Sequence, residues 1–174
     1  LADLSTDSQK VRASQFIEDL VFLQQVTLTP AIRSAIYAAI QALAQQESAH
    51  HRNLTVFQAT VQHETVRKAL QYYTLEGPLK LLDATNAKCQ LGALHTFEMR
   101  WLLAQKPEMY LPVLRTIFDQ IESRLEAAKG KCRTLIVLEE AWLYIGHEVF
   151  ARQLKDWLKT LRKHNARVIF ATQS

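Results

Sequence analysis

Glycine and proline are scarce in this chain, four of each in 174 residues, and cysteine is scarcer still, with only Cys89 and Cys132. Few glycines and prolines argue against a turn-rich all-β fold and for a largely helical one. Two cysteines far apart, in no metal or redox spacing, exclude a disulfide framework and read as free thiols in a reducing compartment. No apolar run approaches the ~20 residues that a membrane span requires, and no signal-peptide pattern opens the chain. The six histidines are scattered. His50-His51 lack the i, i+4 spacing of a helical zinc pair, and no Cys or acid completes a set. No Ser/His/Asp or Cys/His motif supports nucleophilic catalysis. Also missing is the Gly-x-x-x-x-Gly-Lys-Ser/Thr loop that cradles phosphates. The glycines are Gly77, Gly92, Gly130 and Gly146, and none stands in that pattern.

What is present fits one domain with a real core. The formal charge of +4 is unevenly spread. From Arg124 onward ten Lys/Arg stand against five Asp/Glu, and the remainder of the chain is slightly acidic. A basic C-terminal third suits an anionic partner, nucleotide or nucleic acid, although a solvated basic helix gives the same composition. The chain begins at Leu1 rather than Met and stops at Ser174 directly after an apolar run, so a piece of a larger protein is expected.

Helical periodicity dominates the first 130 residues. Lys10–Gln25 carries Val11, Phe16, Ile17, Leu20, Phe22 and Leu23 in a broad stripe. Thr29-Pro30 restarts a helix, with Thr29 as N-cap and Pro30 at the first helical position, running to about Ser48. His50–Asn53 reads as a loop, and Thr55 to Gln58 fits a capping box. One or two short helices then reach Thr74 before the break at Gly77-Pro78. Residues 79–98 are the least regular, with Leu94–Glu98 open between a short strand and a helix start. Pro107 opens a long helix to about Lys129, lined by Leu111, Leu114, Ile117, Phe118, Ile121 and Leu125 and stopped by Gly130. Trp101 and Trp157 sit at core spacing and are assigned to packing.

The chain ends in β-α-β. Thr134–Leu138 is a strand, Glu148–His164 a helix with Phe150, Leu154, Trp157, Leu158 and Leu161 on its apolar face, and Val168–Thr172 a second strand. Such a crossover gives parallel strands, so Glu139-Glu140 and Thr172-Gln173-Ser174 meet at one sheet edge. A strand apolar on both faces is expected inside a sheet covered on each side. Two acids at its C-terminal end stand where open α/β sheets bind ligands. This is the Walker B layout: Glu139 would hold Mg²⁺, Glu140 would orient the attacking water, and Gln173 would sense the γ-phosphate. The bland alternatives are a buried strand ending in solvated acids and an ordinary polar residue at a strand end. Trp142 lies beside the acids, where it packs under the site or simply occupies a loop. Arg162, Lys163 and Arg167 include a candidate for a trans contact to a neighbour's phosphate, with Arg162 singled out. The commoner role of such cations is to offset a helix macrodipole.

Several segments carry a family resemblance: LIVLEEAW (135–142), FARQLKDWLKTLRKHNARVIFATQS (150–174), HTFEMRWLL (95–103), LTPAIRSAIYAAI (28–40) and the stretch 55–84. Together they resemble the TrbE/CagE/VirB-type ATPases of conjugative and type IV secretion systems over nearly the whole chain. The resemblance implies an α/β fold: a partial RecA-like P-loop NTPase core, its two parallel strands in the terminal β-α-β, with a large, mainly helical insertion. Residues 1–105 would be the insertion and 106–174 the Walker B half of the motor. It further implies ATP and Mg²⁺ as cofactors, a hexameric homo-oligomer at the cytoplasmic inner-membrane face of the secretion channel, and partners among channel and conjugation proteins. Glu139 matches the Mg²⁺ acid, Glu140 the catalytic glutamate and Gln173 the glutamine of the ATQ strand end. Two departures stand out. Glu139 occupies a position more usually Asp, and the extra methylene moves the carboxylate by about 1 Å, a displacement that can cost ~10²-fold in rate. The phosphate loop is absent, so the fragment alone is expected to be inactive, with that loop upstream of Leu1. Without the strand before that loop, Val168–Thr172 would expose an apolar edge, expected to be covered by self-association, helix rearrangement or upstream residues. The alternatives are a helical protein-interaction module of the secretion machinery and a RecA-like DNA translocase.

Overall fold

The computed structural model describes residues 1, 3–46, 48, 52–83, 92–131, 133–140, 145–146 and 148–171. The described elements are helices α1 (Asp7–Leu23), α2 (Pro30–Ala44), α3 (Leu54–Thr60) and α4 (Glu64–Gln71), a 3₁₀ turn at Lys80–Leu82, α5 (Arg100–Leu103), α6 (Pro107–Ala128), strand β1 (Thr134–Glu139), α7 (Glu148–Lys163) and β2 (Ala166–Ala171). The chain divides into two compact units, residues 1–112 and 113–174, and the division falls at Pro112 inside α6.

The first unit is helical because its caps and stripes are strong. Thr6 caps α1 in a reciprocal capping box with Gln9, one turn before the periodic stripe begins. Thr29 accepts from the Ile32 N–H and Pro30 occupies the first helical position of α2, as its sequence indicates. At α3 the cap is Asn53, whose side chain accepts from Val56 N–H at 2.9 Å. The expected capping box at Thr55–Gln58 is therefore displaced two residues. Thr55 is engaged elsewhere. Its N–H donates to Asp83 Oδ1 at 3.0 Å, and its hydroxyl donates to Asp83 Oδ2. Asp83 also accepts from Leu75 N–H at 3.0 Å. One buried carboxylate thus ties the start of α3 to the turn after α4.

The core of this unit comes from Ile17, Leu20 and Val21 of α1, Ile36, Ile40 and Leu43 of α2, Leu54 and Phe57 of α3, and Val66 and Leu70 of α4. Tyr73 is fully buried beside them, its hydroxyl accepting from Gln24 Nε2 at 3.0 Å. Burial raises the pKa of this phenol well above its usual value. Arg52 donates to the Ala44 and Gln46 carbonyls and so satisfies groups left over at the end of α2. Gly77 is required by close approach, because a Cβ there would run into the Gln71 and Tyr72 carbonyl oxygens. Residues 95–99 form neither strand nor helix, and α5 follows them. Trp101 is 60% exposed, which corrects its assignment to core packing. Helical periodicity placed it on a stripe, but α5 is only four residues long and buries Leu102 instead.

The second unit is a helix followed by β-α-β. Gly130 (φ +72°) ends α6 in the left-handed conformation that glycine tolerates. Strands β1 and β2 are parallel, in register from Thr134↔Ala166 to Glu139↔Ala171. Leu114, Phe118 and Leu125 of α6, Ile136 of β1 and Leu154, Trp157 and Leu161 of α7 are buried. The Phe118 and Trp157 rings meet at 4.3 Å between centroids. Phe150 was expected on the same face, but its side chain lies outside the description.

The sheet is not covered on both faces as the doubly apolar strand suggests. Leu135 (61%), Val137 (53%) and Ile169 (49%) are exposed, and the pairing puts Val137 level with Ile169 on one face. On the other face Ile136 is buried, but Phe170, level with Leu138, is 44% exposed, so among the described residues cover is incomplete there too.

Replacing Asp83 with Ala leaves two N–H groups and a hydroxyl without their acceptor. With about 1 kcal/mol lost per hydrogen bond, the expected destabilisation is roughly 2–4 kcal/mol. Urea unfolding of the variant against the parent chain measures it, and a change below about 0.5 kcal/mol would contradict the role given to this carboxylate.

Candidate functional site

The two acids stand at the end of β1. Glu139 is its last residue, level with Ala171, the last residue of β2. It is exposed, and by strand alternation it shares the open face with Leu135 and Val137. Glu140 follows at φ +51° and is half-buried. Among the described residues, three other non-glycine positions have positive φ: Gln25, Lys129 and Asn165. Each of those lies just past the end of a helix, where left-handed residues are common. Glu140 alone among them follows a strand. The left-handed conformation costs a non-glycine residue about 1–2 kcal/mol, and strain of this kind gathers at functional positions. It ends the extended run of β1 at Glu139.

Parallel pairing brings the C-terminal ends of both strands to the same edge. Gln173 lies two residues beyond Ala171 and, like Trp142, His50 and His51, falls outside the described residues. Arg162 is exposed in the last turn of α7. It therefore lies near the start of β2, at the opposite edge of the sheet from the acids. Five strand rises of ~3.3 Å put roughly 17 Å between the two edges. Arg162 does not join Glu139 and Glu140 within one chain.

Among the described residues, no group of three or more His, Cys, Asp or Glu forms a site for a metal ion. Mg²⁺ asks for less. It keeps several waters and binds through one or two carboxylates together with substrate phosphates. An adjacent acid pair such as Glu139 and Glu140 is of the type required, whereas no Gly-x-x-x-x-Gly-Lys-Ser/Thr pattern occurs in the 174 residues. An open cleft of about 410 Å³ in the first unit is lined by Gln24, Val26, Glu64, Thr65, Lys68 and Ala69. Its charged residues already pair, Lys68 Nζ to Glu64 Oε1 at 2.7 Å, and they supply no chemistry beyond that. Among the described residues, no helix is long and apolar enough to cross a membrane.

A mixed α/β chain, mostly helical, with two parallel strands and an acid pair at their C-terminal edge, is the class these features define. No family model matches the sequence. Individual relatives do. The chain is 42% identical over its whole length to the conjugal transfer protein TrbE of Rhizobium radiobacter. It is 41% identical, again over its whole length, to a probable conjugal transfer protein TrbE of Sinorhizobium fredii. A more distant match, 28% identical over 97% of the chain, is the type IV secretion system protein virB4 of Bartonella henselae. The chain spans 20%, 25% and 21% of the lengths of these three relatives. Along its full length it belongs to the TrbE/VirB4-type proteins of conjugation and type IV secretion.

The positive φ of Glu140 is the feature that residue patterns did not reveal. A doubled Glu after an apolar strand carries no turn signal of its own. Glu140→Val should destabilise the chain by about 1–2 kcal/mol, because a β-branched side chain is strained where φ is positive. Glu140→Gly should cost less than the Val variant. Thermal unfolding of the two variants checks this, and an E140V as stable as E140G would remove the strain.

Proposed function

We propose that this chain is the Walker B segment of a RecA-like ATPase that energises conjugative transfer or type IV secretion, driving pilus assembly or substrate transfer. One observation carries the reading. Two adjacent carboxylates occupy the C-terminal tip of a parallel strand, the second of them in a left-handed conformation, level with the end of the neighbouring strand. In that reading Glu139 coordinates Mg²⁺ and Glu140 polarises the attacking water. Gln173, two residues past the end of β2 in sequence, reads the γ-phosphate. Whole-length identity to TrbE supports the setting, and the intact protein works as a hexamer at the inner-membrane face of the secretion channel. ATP and Mg²⁺ are then the cofactors of the intact protein. The fragment alone is inactive, because the phosphates lack their cradle. Arg162 acts, if at the nucleotide, on the site of a neighbouring subunit, since it occupies the far edge of its own sheet.

The helical unit supplies contacts to other secretion proteins in this reading. Leu94 (89% exposed) and Trp101 (60%) are the specific observation for it, being large apolar side chains left open beside a packed core.

Glu140→Gln in the full-length protein should abolish ATP hydrolysis, by at least ~10²-fold as expected for loss of a positioned base, while leaving nucleotide binding intact. Phosphate release and equilibrium binding of a fluorescent ATP analogue, measured on the same preparation, separate the two. Near-normal turnover would remove Glu140 from the mechanism.

A further inference from the structure

The net positive charge of the chain is confined to its second unit. Residues 1–112 hold ten Lys/Arg and ten Asp/Glu, and residues 113–174 hold eleven and seven. Within that unit the fold sorts charge by edge. Lys129, Lys131 and Arg133 lie between α6 and β1, Arg162 and Lys163 end α7, and Arg167 is the second residue of β2. The two connections run side by side: Thr134 N–H donates to the Asn165 carbonyl at 3.3 Å, and Leu135 is level with Arg167. All six cations are therefore gathered at the N-terminal edge of the sheet, opposite Glu139 and Glu140. All six are exposed. No acidic residue occurs in 127–138 or 157–171. Among the described residues no ion pair engages any of the six.

Two helices end at this edge, and cations there offset their macrodipoles. That effect fades beyond the last turn, so it accounts for Arg162 and Lys163 but not for Lys131, Arg133 or Arg167. Three of the six are arginines, whose planar fork matches phosphate oxygens. The intervening residues are Gly130, Cys132, Thr134, His164, Asn165 and Ala166. None of these six is a large apolar or aromatic residue. Leu135, level with Arg167, is the exposed apolar neighbour, one aliphatic side chain where a bilayer anchor needs a broad apolar face. Exposed Phe170 stands three residues further along β2, toward the other edge, away from where a base stacked beside these cations would lie. The edge is thus dominated by cations suited to phosphate contacts, and a duplex offers one phosphate charge per ~1.7 Å of its axis.

We propose that the N-terminal edge of the β1–β2 sheet, formed by Lys129, Lys131, Arg133, Arg162, Lys163 and Arg167, is a docking surface for the phosphate backbone of duplex nucleic acid. Recognition is independent of sequence, because the edge carries no element that enters a groove. The surface is separate from the acid pair, so it stands or falls independently of the ATPase reading.

The test is fluorescence anisotropy of a labelled mixed-sequence DNA duplex of about 24 base pairs with the 174-residue chain, from roughly 50 to 200 mM salt. About four to six phosphate contacts give a log–log salt slope of about −4 to −5 and a loss of affinity on the order of 10²–10³ across that range. Arg133→Glu with Arg167→Glu should weaken binding at least tenfold at the lowest salt and flatten the slope by about 2. Lys131→Glu with Lys163→Glu should do the same, and serves if the first pair disturbs the sheet. Arg67→Glu with Lys80→Glu, in the other unit, should leave affinity within about twofold. Absence of salt-dependent binding would overturn the proposal, as would equal loss in the control pair. A single strand bound more tightly than the duplex would also overturn it, and so would binding to phosphatidylglycerol vesicles without binding to DNA.

Discussion

Parallel pairing of β1 with β2 is the constraint on which the functional half of this chain depends. A strand, a returning helix and a second strand in one direction leave only one arrangement of ends. Both C-termini come to one edge and both N-termini to the other. The sequence places two glutamates at the first edge and six cations at the second. Neither grouping is contiguous chemistry until the pairing forms. Glu139 and Ala171 are 32 positions apart in sequence and adjacent in the sheet. The pairing is held from the helix side, where Leu154, Trp157 and Leu161 bury one face of α7 and Phe118 packs against Trp157. Loss of that packing would release both edges at once.

The helical unit rests on different physics. Each of its first three helices begins at a side-chain cap, Thr6, Thr29 or Asn53, and each buries an aliphatic face into a shared core. Polar ties then fix the connections. Asp83 holds Thr55 and Leu75, and Arg52 holds the end of α2. These are local devices, and none of them depends on a nucleotide.

What could be read from residues alone follows this distinction. Periodicity and caps located α1, α2, α6 and α7 to within a few residues, because the signals lie inside each element. The strands and their parallel order were legible for the same reason: β-α-β spacing leaves little choice. Long-range partners were not. Thr55 carries the residue type of a helix cap, yet it serves Asp83, 28 positions away, and the cap falls to Asn53. Trp101 sits on a helical stripe that the short α5 never extends far enough to bury. Of the candidate site, the acid pair and its edge were legible, whereas the left-handed turn at Glu140 has no local signature and emerges only from the folded backbone.

The open face of the sheet bears on how a glutamate could serve at position 139. By alternation Glu139 belongs to the face of Leu135 and Val137, which is exposed among the described residues. A carboxylate on a covered face would be fixed by its neighbours, and an extra methylene there would have to displace them. On an open face a longer side chain displaces no packed neighbour. The extended backbone ends at that same point, with Glu140 at positive φ. In the proposed reading of Glu139 as the Mg²⁺ acid, the extra methylene is accommodated by rotation of the side chain, at an entropic cost of well under ~2 kcal/mol for ordering it. The same openness leaves Leu135, Val137 and Ile169 as apolar surface on that face, and under the proposed reading a surface that covered them would lower the dielectric around Glu139 and strengthen its attraction for a cation.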